Sequence, residues 1–332
     1  MKALVLNSTE LIPTLEERPV PELNPGEALV RIQAASLNRR DYWITQNLYP
    51  GIQTPVILGS DGAGIIEAVA SPDEANRVGE SVLIQPGMGW GENPLAQAER
   101  FHILGTPKDG TFATHVAVSL DQLFPMPESL TFEEAATLPV AGVTAWRALF
   151  TQGGLKKGER VLITGAGGGV AVFAIQFALA TGAQVWVTSG NVTKINRAKD
   201  LGARDGVNYN NPDWASELAA SATSFDLIVD GAGGPGYKHL IKLAAPGGRI
   251  VNYGATAGKP EQLDLFKVFW KQLRIQGTTM GSPADFAEML KFVDEKKLKP
   301  IIDQVFRLEH GAEAIELMED SPQFGKIVLI PE

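Results

Sequence analysis

Arg160-Val-Leu-Ile-Thr-Gly-Ala-Gly-Gly-Gly-Val-Ala-Val-Phe-Ala-Ile-Gln-Phe-Ala-Leu-Ala-Thr-Gly182 joins an apolar strand to a helix through a run of glycines. Val161 to Thr164 form a short buried run, and Gly165 to Gly169 let the backbone turn with little side chain in the way. Phe173, Ile175, Phe177 and Ala178 then continue with helical spacing. A pyrophosphate at that helix N-terminus meets free backbone N–H groups and the positive end of the helix dipole. The literal G-x-G-x-x-G string is absent, because counting from Gly165 or Gly167 puts Val170 or Val172 in the last glycine position. Ala171 supplies the small residue that close helix–strand packing requires, and the strand–turn–helix context is met.

A second apolar strand, Gln184-Val-Trp-Val-Thr188, follows one helix later and completes a βαβ unit. An NAD site usually places Asp or Glu at the end of that strand to accept from the ribose hydroxyls. Here the chain reads Ser189-Gly-Asn-Val-Thr-Lys194-Ile-Asn-Arg197, with no carboxylate. A hydroxyl, a lysine and an arginine suit a 2′-phosphate, so the expected cofactor is NADP(H). Lys194 and Arg197 also fit the solvated face of the next helix. Phe225–Asp230, Gly248–Gly254 and Leu273–Gly277 read as further strands separated by helical stretches, which predicts a doubly wound parallel sheet with ligands at its C-terminal strand ends.

Composition agrees with a globular enzyme of two domains: 332 residues exceed one ordinary core, and 44% are hydrophobic. The net charge of −9 argues against nucleic acid or a membrane surface as partner, since both need a cationic face. The absence of cysteine removes disulfides, catalytic thiols and thiolate metal ligands. Met1-Lys-Ala-Leu-Val-Leu6 is too short an apolar run for a signal peptide, and no membrane span is read, so the expected location is cytoplasmic. Short β-rich runs punctuated by Pro and Gly fill the first part of the chain. The dinucleotide region is expected to begin after Pro125 and Pro127, where Thr131-Phe-Glu-Glu134 has the form of a helix N-cap. The strand-like Gly325–Ile330 is free to return to the first domain. The expected division is 1–128 with 281–332, and 129–280.

Ala35-Ser-Leu-Asn-Arg-Arg-Asp41, Leu58-Gly-Ser-Asp-Gly-Ala-Gly64, Asp109-Gly-Thr-Phe-Ala113, Leu138–Trp146, the glycine loop, Asp205-Gly-Val-Asn-Tyr209, Gly247–Val251 and Gly325–Val328 occur in an order and spacing that resemble the medium-chain dehydrogenase/reductases. Within them the chain resembles the zinc-independent quinone oxidoreductases related to zeta-crystallin. The resemblance runs nearly end to end. It implies an α/β fold: a GroES-like β-rich catalytic domain from both chain ends and a Rossmann domain between them, with a cleft where substrate meets nicotinamide.

The same resemblance implies the site residues. Zinc alcohol dehydrogenases of this family carry Cys and His where this chain has Asn38 and Ser60, so no metal is expected. Asn38 is expected to donate to the substrate oxygen or cofactor ribose, Asp41 to buttress the loop, and Tyr49 to give a proton to the nascent anion or to serve as an amphipathic lid. Thr144 falls to the nicotinamide side. Gly167, Gly168, Gly169 and Val170 fall to the pyrophosphate, and Ser189, Lys194 and Tyr209 to the 2′-phosphate end. Gly254 and Thr278 flank the nicotinamide ribose and carboxamide, and Phe112 walls the ring. Arg39 and Arg40 replace commoner uncharged residues, as a solvated pair or with one facing the cleft and an anionic or acyl-CoA substrate. Trp43 stands where relatives have Tyr.

The implied activity is NADPH-dependent hydride transfer to a quinone or α,β-unsaturated carbonyl. The alternatives are an enoyl-acyl reductase, a zinc-type alcohol dehydrogenase or a non-catalytic NADPH-binding protein. A homodimer through the sheet edge Leu273–Thr278 is expected.

Overall fold

A computed structural model describes residues 1–8 and 12–331. The chain divides into two compact units, Met1–Ala141 with Gly281–Glu332, and Gly142–Met280.

The Gly142–Met280 unit is built on a six-stranded sheet. Its strands are β1 (Arg160–Ile163), β2 (Gln184–Ser189), β3 (Asp205–Asn208), β4 (Phe225–Asp230), β5 (Ala244–Asn252) and β6 (Arg274–Gly277). They lie in the order 3-2-1-4-5-6 and every pairing is parallel, which is the doubly wound Rossmann arrangement. Strands covered on both faces need apolar residues in succession, and Val161, Leu162, Ile163, Leu227, Ile228 and Val229 are all fully buried. Helix α1 (Gly169–Thr181) starts at Gly168 and stops at Gly182, whose φ of 84° is the left-handed cap that glycine tolerates. Helices α2 (Val192–Asp200), α3 (Trp214–Ala222) and α4 (Tyr237–Leu243) fill the later crossovers, and α5 (Leu265–Trp270) precedes β6. Trp214, Leu218, Leu240 and Ile241 from α3 and α4 share one core with Leu162, Trp186 and Ile228 of the sheet.

In the other unit the strand Glu27–Ser36 is the hub, pairing antiparallel with Asp61–Val69, His115–Ser119 and Lys326–Ile330. Lys326–Ile330 pairs in parallel with Ile302–Arg307, so the last strand of the chain lies inside this sheet and Ile302–Arg307 stands at its end. Val30, Ile32, Ile66, Val82, Val116, Ile327 and Leu329 make its core. The helix Arg39–Thr45 begins directly after the hub strand, which fixes Asn38, Arg40 and Asp41 at the sheet's end.

The boundary expected after residue 128 falls instead after Ala141. Helix Phe132–Ala136, capped by Thr131 and Glu134, packs on Glu27–Ser36 and Asp61–Val69. Ser36 Oγ donates to the Ala136 carbonyl at 2.9 Å, and the Val140 N–H donates to Asp61 Oδ1 at 2.8 Å. These two bonds tie the segment to the β-rich unit. Among the described residues no helix is long and apolar enough to cross a membrane.

Candidate functional site

The Gly142–Met280 unit carries a cavity of about 590 Å³ at the C-terminal ends of its strands, lined among others by Thr164, Thr188, Tyr209, Asp230, Gly233 and Thr256. The glycine turn sits beside it because Gly165 and Gly167 adopt φ of 70° and 119°, where a Cβ is strained. A Cβ on Gly167 would also fall 2.5 Å from Lys194 Cδ and 3.2 Å from its Nζ. Lys194, carried by α2, therefore lies across the glycine loop. Likewise a Cβ on Gly190 would meet the Tyr209 hydroxyl at 2.8 Å. Two absent side chains thus make room for one cation and one hydroxyl at the end of β2. The first turn of α1 presents Gly169, Val170 and Ala171, whose N–H groups have no intrahelical acceptor. This cradle fits a dinucleotide phosphate.

Asp230 organises the floor of that cavity. It is 1% exposed and accepts from Thr164 Oγ1 at 2.7 Å, Asn252 Nδ2 at 2.8 Å and the Gly233 N–H at 2.9 Å. One carboxylate thereby locks the ends of β1, β4 and β5 together. Burial and the Asp230 charge push the Tyr237 hydroxyl up to about 12, while that hydroxyl donates to Asn252 at 2.7 Å. Asp230 went unrecognised in the sequence as anything but a strand end; its signal was a carboxylate closing an apolar strand just before Gly-Ala-Gly-Gly.

The other unit gathers a buried polar cluster around Asn38. Lys326 Nζ donates to Asn38 Oδ1 at 2.7 Å and to Asp61 Oδ2 at 3.0 Å, with the Lys326 and Asp61 side chains 3% and 0% exposed. Ser36 Oγ adds a third contact on Asp61. Arg40 Nη1 donates to Ser60 Oγ and to the Leu104 carbonyl, and its guanidinium lies 4.8 Å from the Tyr49 ring centre. The Asn38 N–H donates to Asp41 Oδ2 at 2.7 Å. Burial raises the Asp41 carboxyl to about 6, against the lowering pull of the Arg40 charge and that backbone bond. Asn38 Nδ2, Arg40 Nε, Arg40 Nη2 and Asp41 Oδ1 are buried without hydrogen-bond partners.

A catalytic zinc does not fit this cluster. Its two candidate ligand positions hold a carboxamide oxygen already on an ammonium and a hydroxyl already on a guanidinium. Two fixed cations stand where a dication needs anionic or imidazole donors. Among the described residues no group of three or more His, Cys, Asp or Glu side chains is placed to hold a metal ion.

The expected site residues separate into two sets, one on each unit. Gly167, Gly168, Gly169, Val170, Ser189, Lys194 and Tyr209 converge on the glycine loop and the end of β2. Ser189 is 4% exposed and its hydroxyl donates to the Ala166 carbonyl at 3.0 Å, so it shapes the loop. A Cβ on Gly254 would lie 2.9 Å from the Gly231 carbonyl, which keeps the ends of β4 and β5 in close approach. The Thr278 N–H donates to the Asn252 carbonyl at 2.8 Å, and its hydroxyl is buried without a partner. Thr144 is a buried residue of helix Pro139–Trp146.

Asn38, Asp41 and Tyr49 fall together on the β-rich unit, with Tyr49 half-buried against its core. Two expectations are corrected. Phe112 is fully buried in the core under Gly59, where a Cβ would touch its ring at 2.3 Å, so it walls no cofactor. Arg39 and Arg40 are not a solvated pair: Arg40 is 7% exposed, and Arg39 donates to the Met318 carbonyl and Ser321 while lying 4.8 Å from the Trp43 ring centre. The Lys326 ammonium in this cluster was missed, because its strand read only as an apolar run.

Comparison with known proteins agrees with this architecture. Residues 24–128 match the alcohol dehydrogenase GroES-like domain, and residues 169–295 match the zinc-binding dehydrogenase family. The chain is 38% identical over 325 residues to a zinc-type alcohol dehydrogenase-like protein of Schizosaccharomyces pombe, covering 95% of this chain and 94% of that protein. It is 32% identical over 342 residues to an acryloyl-coenzyme A reductase of Sulfurisphaera tokodaii, covering all of both chains. A solved structure described as an NAD-dependent alcohol dehydrogenase superposes with a TM-score of 0.92 at 38% identity, with all of both chains covered. The fold is a GroES-like domain with a Rossmann-like parallel-sheet domain.

Proposed function

Since the chain belongs to the medium-chain dehydrogenase/reductase superfamily and is an oxidoreductase of that family, we propose that it reduces a carbon–carbon double bond conjugated to a carbonyl, or a quinone, with NADPH and without zinc. The observation that carries this reading is the pair of cations, Lys326 and Arg40, on Asn38 and Ser60 where a metal would need its ligands. An unactivated ketone needs a metal or a well-placed acid to polarise its carbonyl, whereas a conjugated acceptor takes hydride at its β-carbon and spreads the charge onto oxygen. The similarity to an acryloyl-coenzyme A reductase supports a conjugated acceptor, with a thioester as one member of the class.

Gly167, Gly168, Gly169 and Val170 hold the pyrophosphate, Lys194 and Tyr209 the adenosine 2′-phosphate, and Thr144, Gly254 and Thr278 the nicotinamide half. Ser189 acts by holding the loop through Ala166. The absence of a carboxylate at the end of β2, together with Lys194 over the loop, favours the phosphorylated nucleotide, although one similar structure is described as NAD-dependent. The nicotinamide supplies a hydride, two electrons with one hydrogen. On the acceptor the double bond opens, the electron pair moves to oxygen, and a proton from Tyr49 or water completes the reduction. Asn38 Nδ2, a buried donor with its oxygen pinned by Lys326, hydrogen-bonds that oxygen. Asp41 holds the Asn38 backbone.

We further propose a homodimer through β6, a reading supported by an edge strand whose four residues are all exposed and by Leu265, Phe266, Phe269 and Trp270 exposed on α5 just before it.

Parallel titrations with NADPH and NADH, followed by turnover on quinones, enones, enoyl thioesters and aldehydes, test the reading. Preference for NADPH and for the conjugated acceptors is expected, insensitive to chelators. Aldehyde reduction abolished by a chelator and restored by zinc refutes it.

A further inference from the structure

We infer that the Arg40 guanidinium is an oxyanion-binding electrophile that takes the metal's place: its Nε and Nη2 N–H groups receive the acceptor oxygen as charge collects on it. This rests on the reductase reading above for its chemistry, though the binding site itself does not. Arg40 is 7% exposed, and a buried guanidinium normally has its in-plane donors filled, because an unmet buried donor loses its hydration without a replacement partner. Here Nη1 alone is engaged, on Ser60 Oγ and the Leu104 carbonyl, while Nε and Nη2 have no acceptor.

The charges around it leave it available. The nearest carboxylate oxygen, Asp41 Oδ1, stands 4.0 Å from Nη1, and the other Asp41 oxygen accepts from the Asn38 backbone. Asp61 is committed to Lys326 and Ser36. Beyond them Tyr49 lies against the guanidinium, on a segment outside helix and strand between Thr45 and Val56. A guanidinium is always charged and presents adjacent N–H groups in one plane, which matches a planar enolate or hydroquinone anion. Nothing needs to dissociate or coordinate: hydride addition at carbon puts the electron pair on oxygen, and the cation is already in place.

The probe is 4-nitrophenol, a planar acid that titrates near neutrality and whose anion is yellow. Wild-type protein with bound NADPH or NADP+ is expected to bind the anion in preference to the neutral phenol, lowering its apparent pKa by about one unit, a tenfold preference. Arg40→Met loses that shift and lowers turnover on enones about 100-fold, by analogy with removal of one oxyanion donor. Its nucleotide fluorescence titration stays unchanged, and a urea unfolding profile like that of the wild type shows that the β-rich unit carrying Arg40 has folded. Arg40→Lys, which keeps charge without the planar pair of donors, recovers part of the shift.

No phenol shift in the wild type, or full turnover in Arg40→Met, overturns the inference while leaving the reductase reading intact. A shift that depends on Arg40 in a protein that reduces no acceptor on the panel overturns the reductase reading and keeps the anion site.

Discussion

Replacing Lys326 with Met leaves Asp61 as a fully buried carboxylate whose hydrogen-bond donors among the described residues are Ser36 Oγ and the Val140 N–H. The ammonium makes two close contacts, 2.7 Å to Asn38 and 3.0 Å to Asp61, from a side chain only 3% exposed. Removing one member of a buried, hydrogen-bonded pair typically costs about 3–5 kcal/mol, most of it the charge left behind. The expected loss for Lys326→Met is therefore in that range, measured by urea unfolding at neutral pH. Asp61→Asn in the same background removes the stranded charge yet keeps an acceptor for Val140, so the double variant should recover about 2 kcal/mol or more. Turnover should fall as well, because Asn38 loses the contact that orients its carboxamide. Additivity of the two substitutions within about 0.5 kcal/mol would refute the reasoning, since it would mean that the charges do not act on each other.

Lys194→Ala should weaken NADPH by about 1.5–3 kcal/mol, the value of a charge-assisted contact, and leave NADH nearly unchanged; equal losses by fluorescence titration would reject Lys194 as the 2′-phosphate ligand. Gly167→Ala puts a Cβ into Lys194 at a φ of 119°, so nucleotide affinity should drop at least tenfold in the same titration, and wild-type affinity would count against the loop geometry. Asp41 is pulled up from 3.8 to about 6 by burial, so the folded state binds the extra proton. Its contribution is full below pH 4 and is lost as pH rises to 6, about 3 kcal/mol in all. Asp41→Asn should flatten that slope in urea titrations across the window, and an unchanged slope would show that Asp41 is not its source. Tyr49→Phe should lower turnover with nucleotide affinity unchanged, and identical initial rates would remove its hydroxyl from the chemistry.

The Rossmann half was legible because its information is local. An apolar run without alternation is a strand covered on both faces, and β1, β2 and β4 lie where Val161–Thr164, Gln184–Thr188 and Phe225–Asp230 read as strands. Glycines between a strand and a helix announce the phosphate turn, and the missing carboxylate after β2 needs no coordinates to be seen. The boundary after residue 128 misled because Thr131-Phe-Glu-Glu134 does start a helix, but what that helix packs on is a tertiary matter.

The polar cluster was decided only by folding. Lys326 reads as one charge opening an apolar strand, and nothing near it says that it will lie buried against Asp61, 265 residues earlier. Arg40 follows another arginine after an asparagine and reads either as one of a solvated pair or as facing a cleft, and the helix Arg39–Thr45 decides by turning one guanidinium onto Met318 and Ser321 and the other inward onto Ser60. Periodicity and turn chemistry are written over a few neighbouring residues. The partner of a buried charge is chosen by sheet register, which brings Ser36, Asp61 and Val328 side by side from three distant stretches of chain.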